Sequence, residues 1–122
     1  MNEKSNKFKE EFEKRLVRFS IEIIRLSQEL SREYKAYALA DQLLRAGTSI
    51  GANIIEARAS GSKRDYIHYF QLALKSANET KYWLYLVSKT YSSLENKSEK
   101  LRSEAVEISK IIATSIRTMK GL

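Results

Sequence analysis

The chain has 122 residues, 22 of them Lys or Arg and 15 Asp or Glu, which gives a formal net charge of +7. This length suffices for one compact domain and is too short for two, and 43% apolar with 30% charged residues excludes a disordered tail and a membrane protein. Cysteine is absent, which excludes disulfide scaffolds, thiolate metal sites and cysteine nucleophiles. Proline is absent where average usage predicts about six residues, so an all-helical fold is favoured.

Four segments carry apolar residues at spacings of three and four, which is typical of one face of a helix. They predict helices over about 8–31, 36–58, 63–91 and 96–119. The stripe of the first helix is Phe8, Phe12, Leu16, Phe19, Ile23, Leu26 and Leu30. The stripe of the fourth helix is Leu101, Ala105, Ile108, Ile112, Ser115 and Met119. All four stripes require a shared core.

The breaks between these segments are short. No Gly or Pro marks the first break, whereas Ser62 followed by Asp65, and Asn96 followed by Glu99, each have the spacing of a capping box at a helix start. Short connections force consecutive helices to run antiparallel. The sequence therefore predicts an all-α, antiparallel up-down-up-down four-helix bundle, formed as a single domain over residues 1–122.

Two glycines, Gly47 and Gly51, lie one turn apart inside the second predicted helix, where each costs about 1 kcal/mol relative to Ala. The favoured interpretation is a close approach of the backbone to a neighbouring helix, by the logic of small-residue packing. The alternative is a bend or a break near residues 47–48.

The outward faces of the two central helices carry fewer charges and more apolar groups than exposed faces usually do. A second copy of the chain is the simplest cover for them, and the alternative is a monomer whose Tyr and Trp side chains reach water. Arg45, Glu56 and Glu79 are expected to form ion pairs within such an interface. The predicted interface residues are Arg45, Ser49, Asn53, Glu56, Glu79, Tyr82, Trp83 and Leu86.

Three runs in the middle of the chain carry a family resemblance. Residues 45–57 read RAGTSIGANIIEA, residues 62–65 read SKRD and residues 73–84 read ALKSANETKYWL. They resemble the bacterial four-helix bundle family encoded in intervening sequences of 23S ribosomal RNA genes, which also carries a ribosomal-protein-like label. The resemblance covers about residues 36–90. Ala57 stands where members often have Gly, and Gly51 where some have Pro, and neither departure affects the expected fold.

The resemblance implies an antiparallel four-helix bundle that assembles as a homopentamer with a central channel. Related members include the accessory protein of diversity-generating retroelements, a basic pentamer that binds nucleic acid and a reverse transcriptase. A protein partner such as a reverse transcriptase is therefore one expectation for this chain. The positions that match the family pattern are Arg45, Ser49, Asn53, Glu56, Glu79, Tyr82 and Trp83.

An enzyme is the poorest interpretation of this sequence. His68 is the single histidine, and with Asp65 it supplies half of a bundle metal site at most, so a solvated or capping role is favoured for this pair. No Gly-rich phosphate loop and no Ser-His-Asp set is evident. We expect no catalytic residue, no cofactor and no metal.

The excess of positive charge favours nucleic-acid binding through phosphate contacts, with RNA or DNA as partner and RNA preferred. The predicted contact residues are Arg58, Lys63, Arg64, Lys75 and Lys81. For each cation alone, a solvated helix face is the alternative. For the whole protein, the alternative is a pentameric protein-interaction scaffold without a nucleic-acid role, anchored by exposed aromatic side chains.

Targeting and membrane signals are weak in this sequence. The N-terminal residues are polar and of mixed charge, without the apolar core of a signal peptide. The most apolar stretch, residues 36–57, is interrupted by Asp41, Arg45, Asn53 and Glu56, so it does not predict a spanning helix. We therefore expect a cytoplasmic protein with no membrane partner.

Overall fold

The computed structural model describes residues 3–122, which form four long helices. They are α1 (Glu3–Tyr34), α2 (Tyr37–Ala59), α3 (Lys63–Thr90) and α4 (Glu95–Lys120), with one 3-10 turn over Ser92–Leu94. Consecutive helices pack side by side, and α4 returns beside α1 over a shorter stretch. The predicted all-α antiparallel four-helix bundle is confirmed.

The helix α1 extends beyond the predicted segment at both ends. Its first turns contain Glu and Lys, which favour helix, and no Gly or Pro interrupts them. The chain turns at Lys35, whose φ of 55° lies in the left-handed region, and the Ala36 amide donates to the carbonyl of Leu30 at 3.0 Å. The sequence did not mark this turn because Gly or Asn, the usual residues at such a φ, are absent from it.

One of the two predicted capping sites forms. The Ser62 hydroxyl accepts a hydrogen bond from the Asp65 amide at 3.1 Å, as expected at the start of α3. The prediction for Asn96 is wrong, since α4 begins at Glu95 and its N-cap position is Leu94, which makes no side-chain cap. Leu94 is buried in the core, so tertiary packing fixes where α4 begins.

The predicted stripes form the core with two corrections. Phe8 was expected inside and is 55% exposed, because the first turns of α1 extend to the end of the bundle. In α4, Ile116 is buried where Ser115 was expected, since a step of four from Ile112 follows the 3.6-residue period as well as a step of three.

Two ion pairs join α1 to α4, where the bundle is least tightly packed. Arg15 donates from both Nε and Nη2 to the Glu104 carboxylate, at 2.7 and 2.8 Å, and these hydrogen bonds raise the pKa of Arg15 above its ordinary value. The Lys97 ammonium lies 2.6 Å from Glu29 nearer the other end. Both pairs are partly exposed, so they orient the helices more than they stabilise them.

The two glycines of α2 face α1 in different ways. A Cβ at Gly47 would lie 2.6 Å from Cγ2 of Ile23, which is fully buried, whereas a Cβ at Gly51 would meet Leu16 and Ser20 at an ordinary 3.7 Å. Both positions lie within the continuous helix α2, so the chain does not break there. The predicted close approach is therefore confirmed, and Gly47 is the residue that requires it.

This difference predicts opposite effects of two alanine substitutions. Gly47→Ala forces a stiff, buried isoleucine to move, at about 1–3 kcal/mol, which outweighs the roughly 1 kcal/mol gained in helix propensity. Gly51→Ala gains helix propensity without a steric cost, because its Cβ meets only ordinary contacts. We expect Gly47→Ala to lower and Gly51→Ala to raise the free energy of unfolding, measured by urea denaturation at one fixed protein concentration. Equal effects of the two substitutions would contradict this packing.

Candidate nucleic-acid interface

The antiparallel order brings three basic segments to one end of the bundle. Residues 3–9 begin α1, residues 58–67 connect α2 to α3, and residues 114–122 end α4. We call these three segments the cationic end. They hold eight Lys or Arg and two acidic residues, so their side chains carry +6 of the chain's formal +7. The opposite end, residues 27–44 and 88–99, holds four basic and five acidic residues and carries −1.

Of the predicted contact residues at the cationic end, Lys63 and Arg64 are available to a ligand. Both are exposed in the first turn of α3, and neither makes an ion pair within residues 3–122. The amides of this turn are also close to them, and a helix N-terminus attracts anions. These two side chains are therefore accessible and carry charges that no acidic side chain of the described residues neutralises by an ion pair.

Arg58 occupies a different position from its predicted partners. Its Nε donates to Glu13 at 3.0 Å, Nη1 donates to the Tyr66 hydroxyl, and its side chain is 19% exposed. The guanidinium carbon lies 5.8 Å from the ring centroids of both Tyr66 and Phe70. Arg58 thus belongs to the cationic end but joins α1, α2 and α3 within it, mostly shielded from solvent.

The structure separates Lys75 and Lys81 from the cationic end. Lys75 is exposed, and because it follows Arg64 by 11 residues on one helix, it lies about 16 Å farther along α3. Lys81 is half-buried against α4, with its ammonium 3.3 Å from the Ser109 hydroxyl. Lys75 and Lys81 therefore lie along the side of α3, as expected for residues farther along that helix, while Lys63 and Arg64 lie at its end.

Three of the predicted interface residues on α2 make their polar contacts within that helix. Arg45 pairs with Asp41 at 3.0 Å, the Ser49 hydroxyl donates to the Arg45 carbonyl, and the Asn53 amide donates to the Ser49 carbonyl. Glu56 is exposed and has no ion pair within the described chain. Within one copy, Arg45 pairs with Asp41 and not with Glu56 or Glu79. The expected ion pairs between copies stay a prediction.

The predicted interface residues on α3 combine exposed and half-buried aromatic groups. Tyr82 is 56% exposed, and its ring centroid lies 5.4 Å from that of Trp83. The indole N–H of Trp83 donates to Glu79 at 3.2 Å, and Leu86 is half-buried. This face of a single chain leaves large apolar area in water.

A second exposed apolar surface follows the groove between α1 and α2. The sequence indicated apolar groups on the outward face of α2, but those on α1 were missed. A cavity of about 320 Å³ lies there beside Gly51 and Ala52. The side chains of this surface, which we call the apolar seam, are Val17, Ile21, Ile24, Leu44 and Ile55, all exposed. The spacings of four and three among the α1 members form a second stripe beside the core stripe, and that signal could have identified it.

A cavity of about 500 Å³ opens at the cationic end between the first turns of α1 and the last turns of α4. We call it the aromatic cleft. Two ring pairs line it, Phe8 with Phe12 at 6.4 Å and Tyr66 with Phe70 at 5.0 Å between centroids, both inclined by 18°. Sequence reasoning missed this cleft because it placed Phe8 in the core.

Metal ligands are not gathered in the part of the chain that the structure describes. Over residues 3–122, no three His, Cys, Asp or Glu side chains come close enough to share an ion. The backbone N–H of Asp65 donates to the hydroxyl of Ser62, the N-cap of α3. His68 is exposed, and its ring centroid lies 5.9 Å from that of Tyr69. Across the same residues, no helix has both the length and the apolar run needed to cross a bilayer.

Comparisons with known proteins agree with this architecture. A family model described as 23S rRNA-intervening sequence protein matches residues 9–114. A crystal structure from Bacteroides thetaiotaomicron VPI-5482, described as a protein with unknown function from the S23 ribosomal protein family, is 36% identical with a TM-score of 0.84. The match covers 89% of this chain and 97% of that one. A search of curated proteins found no match.

Proposed function

Starting from the fact that this chain belongs to the 23S rRNA-intervening sequence protein family, we propose that it is a non-enzymatic, cytoplasmic homo-oligomer that binds RNA. The single observation that carries this proposal is the concentration of +6 of the formal +7 charge at one end of the bundle. Phosphate contacts by Lys and Arg release counterions and supply affinity without reading sequence.

In this proposal, Lys63 and Arg64 make the central phosphate contacts. Arg58 supports them from below by fixing the connection between α2 and α3, and Lys75 and Lys81 extend the basic surface along α3. A pentamer, as the family resemblance implies, repeats the cationic end five times. Simultaneous contacts then raise the overall affinity above that of one end.

Self-association is proposed from the apolar area that one chain exposes. The apolar seam lies on α1 and α2, whereas Tyr82 and Trp83 lie on α3, so the two surfaces are distinct patches of one molecule. Distinct patches that bind each other between copies produce a closed ring when the rotation permits. This arrangement supports a ring more than a two-fold dimer.

The salt dependence of binding tests the phosphate mechanism. With about four phosphate contacts to single-stranded RNA, the affinity should fall roughly 50-fold between about 50 and 200 mM salt. Fluorescence anisotropy with a labelled oligouridine measures the affinity at each salt concentration, with the sodium concentration as the only variable. An affinity that stays constant over this range contradicts binding through phosphates.

The second candidate function is a pentameric scaffold that binds another protein, such as a reverse transcriptase, without a nucleic-acid role. The observation that favours it is the exposure of Tyr82 beside Trp83, because aromatic side chains at a surface are frequent anchors of protein interfaces. Intact assembly together with no measurable binding of RNA or DNA at low salt supports the scaffold over the proposed function.

A further inference from the structure

The aromatic cleft combines an exposed ring with basic surroundings. Phe8 is 55% exposed in one wall, although it belongs to a helix with a well-buried stripe, and the cleft is also lined by Lys9, Arg58 and Lys110. Glu13 and Glu107 pair with Arg58 and Lys110, so the acidic groups nearby are already engaged. An apolar floor with a basic rim fits a ligand that has a flat ring and a negative charge.

We propose that the aromatic cleft takes an unpaired base of single-stranded nucleic acid, stacked on Phe8, while the flanking phosphates lie on the cationic end. This inference rests on the proposed function. One face of the Phe8 ring is directed to Phe12, and its exposure leaves room for a base on the other. The cavity of about 500 Å³ is within the range of small-ligand sites.

Charge complementarity selects this occupant over an apolar helix from another protein. Most of the residues that line the cleft belong to the segments that carry +6, and the hydroxyl groups of Thr114 and Thr118 at its wall can donate to and accept from a base edge. An apolar helix would offer no partner to these hydroxyl groups, which is costly when they are buried, and it would gain nothing from the surrounding positive charge.

The proposed mode distinguishes single strands from duplexes. Bases of a duplex are stacked on one another and cannot enter the cleft, whereas an unpaired base can stack on an aromatic side chain without regard to its identity. A duplex therefore contacts the cationic end through phosphates alone. Single strands gain the stacking contribution in addition.

The experiment compares Phe8→Ala with Tyr37→Ala, a similarly exposed aromatic residue at the opposite end of the bundle. Oligouridine, an abasic strand of the same length and an RNA duplex are titrated against each full-length protein. We expect Phe8→Ala to weaken oligouridine binding by about 5- to 150-fold, to leave duplex and abasic binding unchanged, and Phe8→Trp to retain affinity. Tyr37→Ala should change none of the three.

The outcomes separate this inference from the proposed function. If wild-type protein binds all three probes and Phe8→Ala changes none, the base-stacking proposal is overturned while phosphate binding stands. If Phe8→Ala weakens all three probes equally, Phe8 acts through the phosphate surface or the fold, which also overturns stacking. If wild-type protein binds no probe at low salt, the proposed function is overturned, and the base-stacking proposal that rests on it is overturned as well.

Discussion

Reversing two charges at the cationic end, Lys63→Glu with Arg64→Glu, is expected to lower the affinity for RNA by about 100-fold or more. The double substitution changes the formal charge of that end from +6 to +2 and places carboxylates where phosphates would bind. Both side chains are exposed and unpaired within residues 3–122, so the fold has no contact to lose. For single-stranded RNA, the slope of log affinity against log salt should decrease by about 1.4, which is about 0.7 for each lost phosphate contact.

A matched control is Arg32→Glu with Lys100→Glu. These two exposed residues lie toward the opposite end of the bundle and make no ion pair among residues 3–122, and their reversal changes the net charge by the same amount. If net charge alone attracts RNA, both double variants lose affinity equally. If the cationic end is the interface, only the first does, with sedimentation showing the same assembly in both.

Placing a carboxylate on either apolar surface, Ile55→Asp or Tyr82→Asp, is expected to convert the assembly into a species of 14.1 kDa. Ile55 is 53% and Tyr82 56% exposed in one chain, so each tolerates aspartate in the monomer. In an interface, the new charge is buried without a partner, at about 3 kcal/mol or more for each contact, which is roughly a 150-fold loss of affinity.

Analytical ultracentrifugation at micromolar concentration measures this change, with Ser103→Asp, an exposed position on α4, as control. Wild-type protein and the control should sediment together at a multiple of 14.1 kDa, which for a pentamer is about 70 kDa. A ring that joins two different patches requires both variants to dissociate it. A wild-type monomer, or two variants that keep the wild-type mass, contradicts the proposed assembly.

Periodicity alone predicted most of the fold. The stripes of α1 and α4 are mostly buried, with Phe8 and Ser115 as exceptions, and Ser62 caps α3, because these features depend on neighbours three or four residues away. The turn at Lys35 and the start of α4 at Glu95 were not predictable in this way. The start of α4 depends on the burial of Leu94 in the core, and the turn at Lys35 depends on how the ends of α1 and α2 pack.

The candidate site was less accessible to sequence reasoning. The sequence indicated a positive net charge, Lys63 and Arg64 as candidate contacts and an apolar outward face of α2, yet it predicted neither the aromatic cleft nor the α1 side of the apolar seam, and Arg58 lies within a contact network. Phe8 and Val17 each satisfy a helical pattern, and a pattern states which face of a helix is apolar without stating whether a neighbour covers it.

The sequence by itself determined four amphipathic helices, their antiparallel order and an excess of positive charge, because helical period, short connections and composition are properties of the chain. Only the tertiary structure decided that Phe8 lines an open cleft at the end of the bundle where the antiparallel order brings the basic segments together, and that Arg58 is held in a contact network there. The physical reason is that both depend on how the surfaces of neighbouring helices are placed relative to one another in space. That placement is fixed by contacts between helices, such as Gly47 against Ile23.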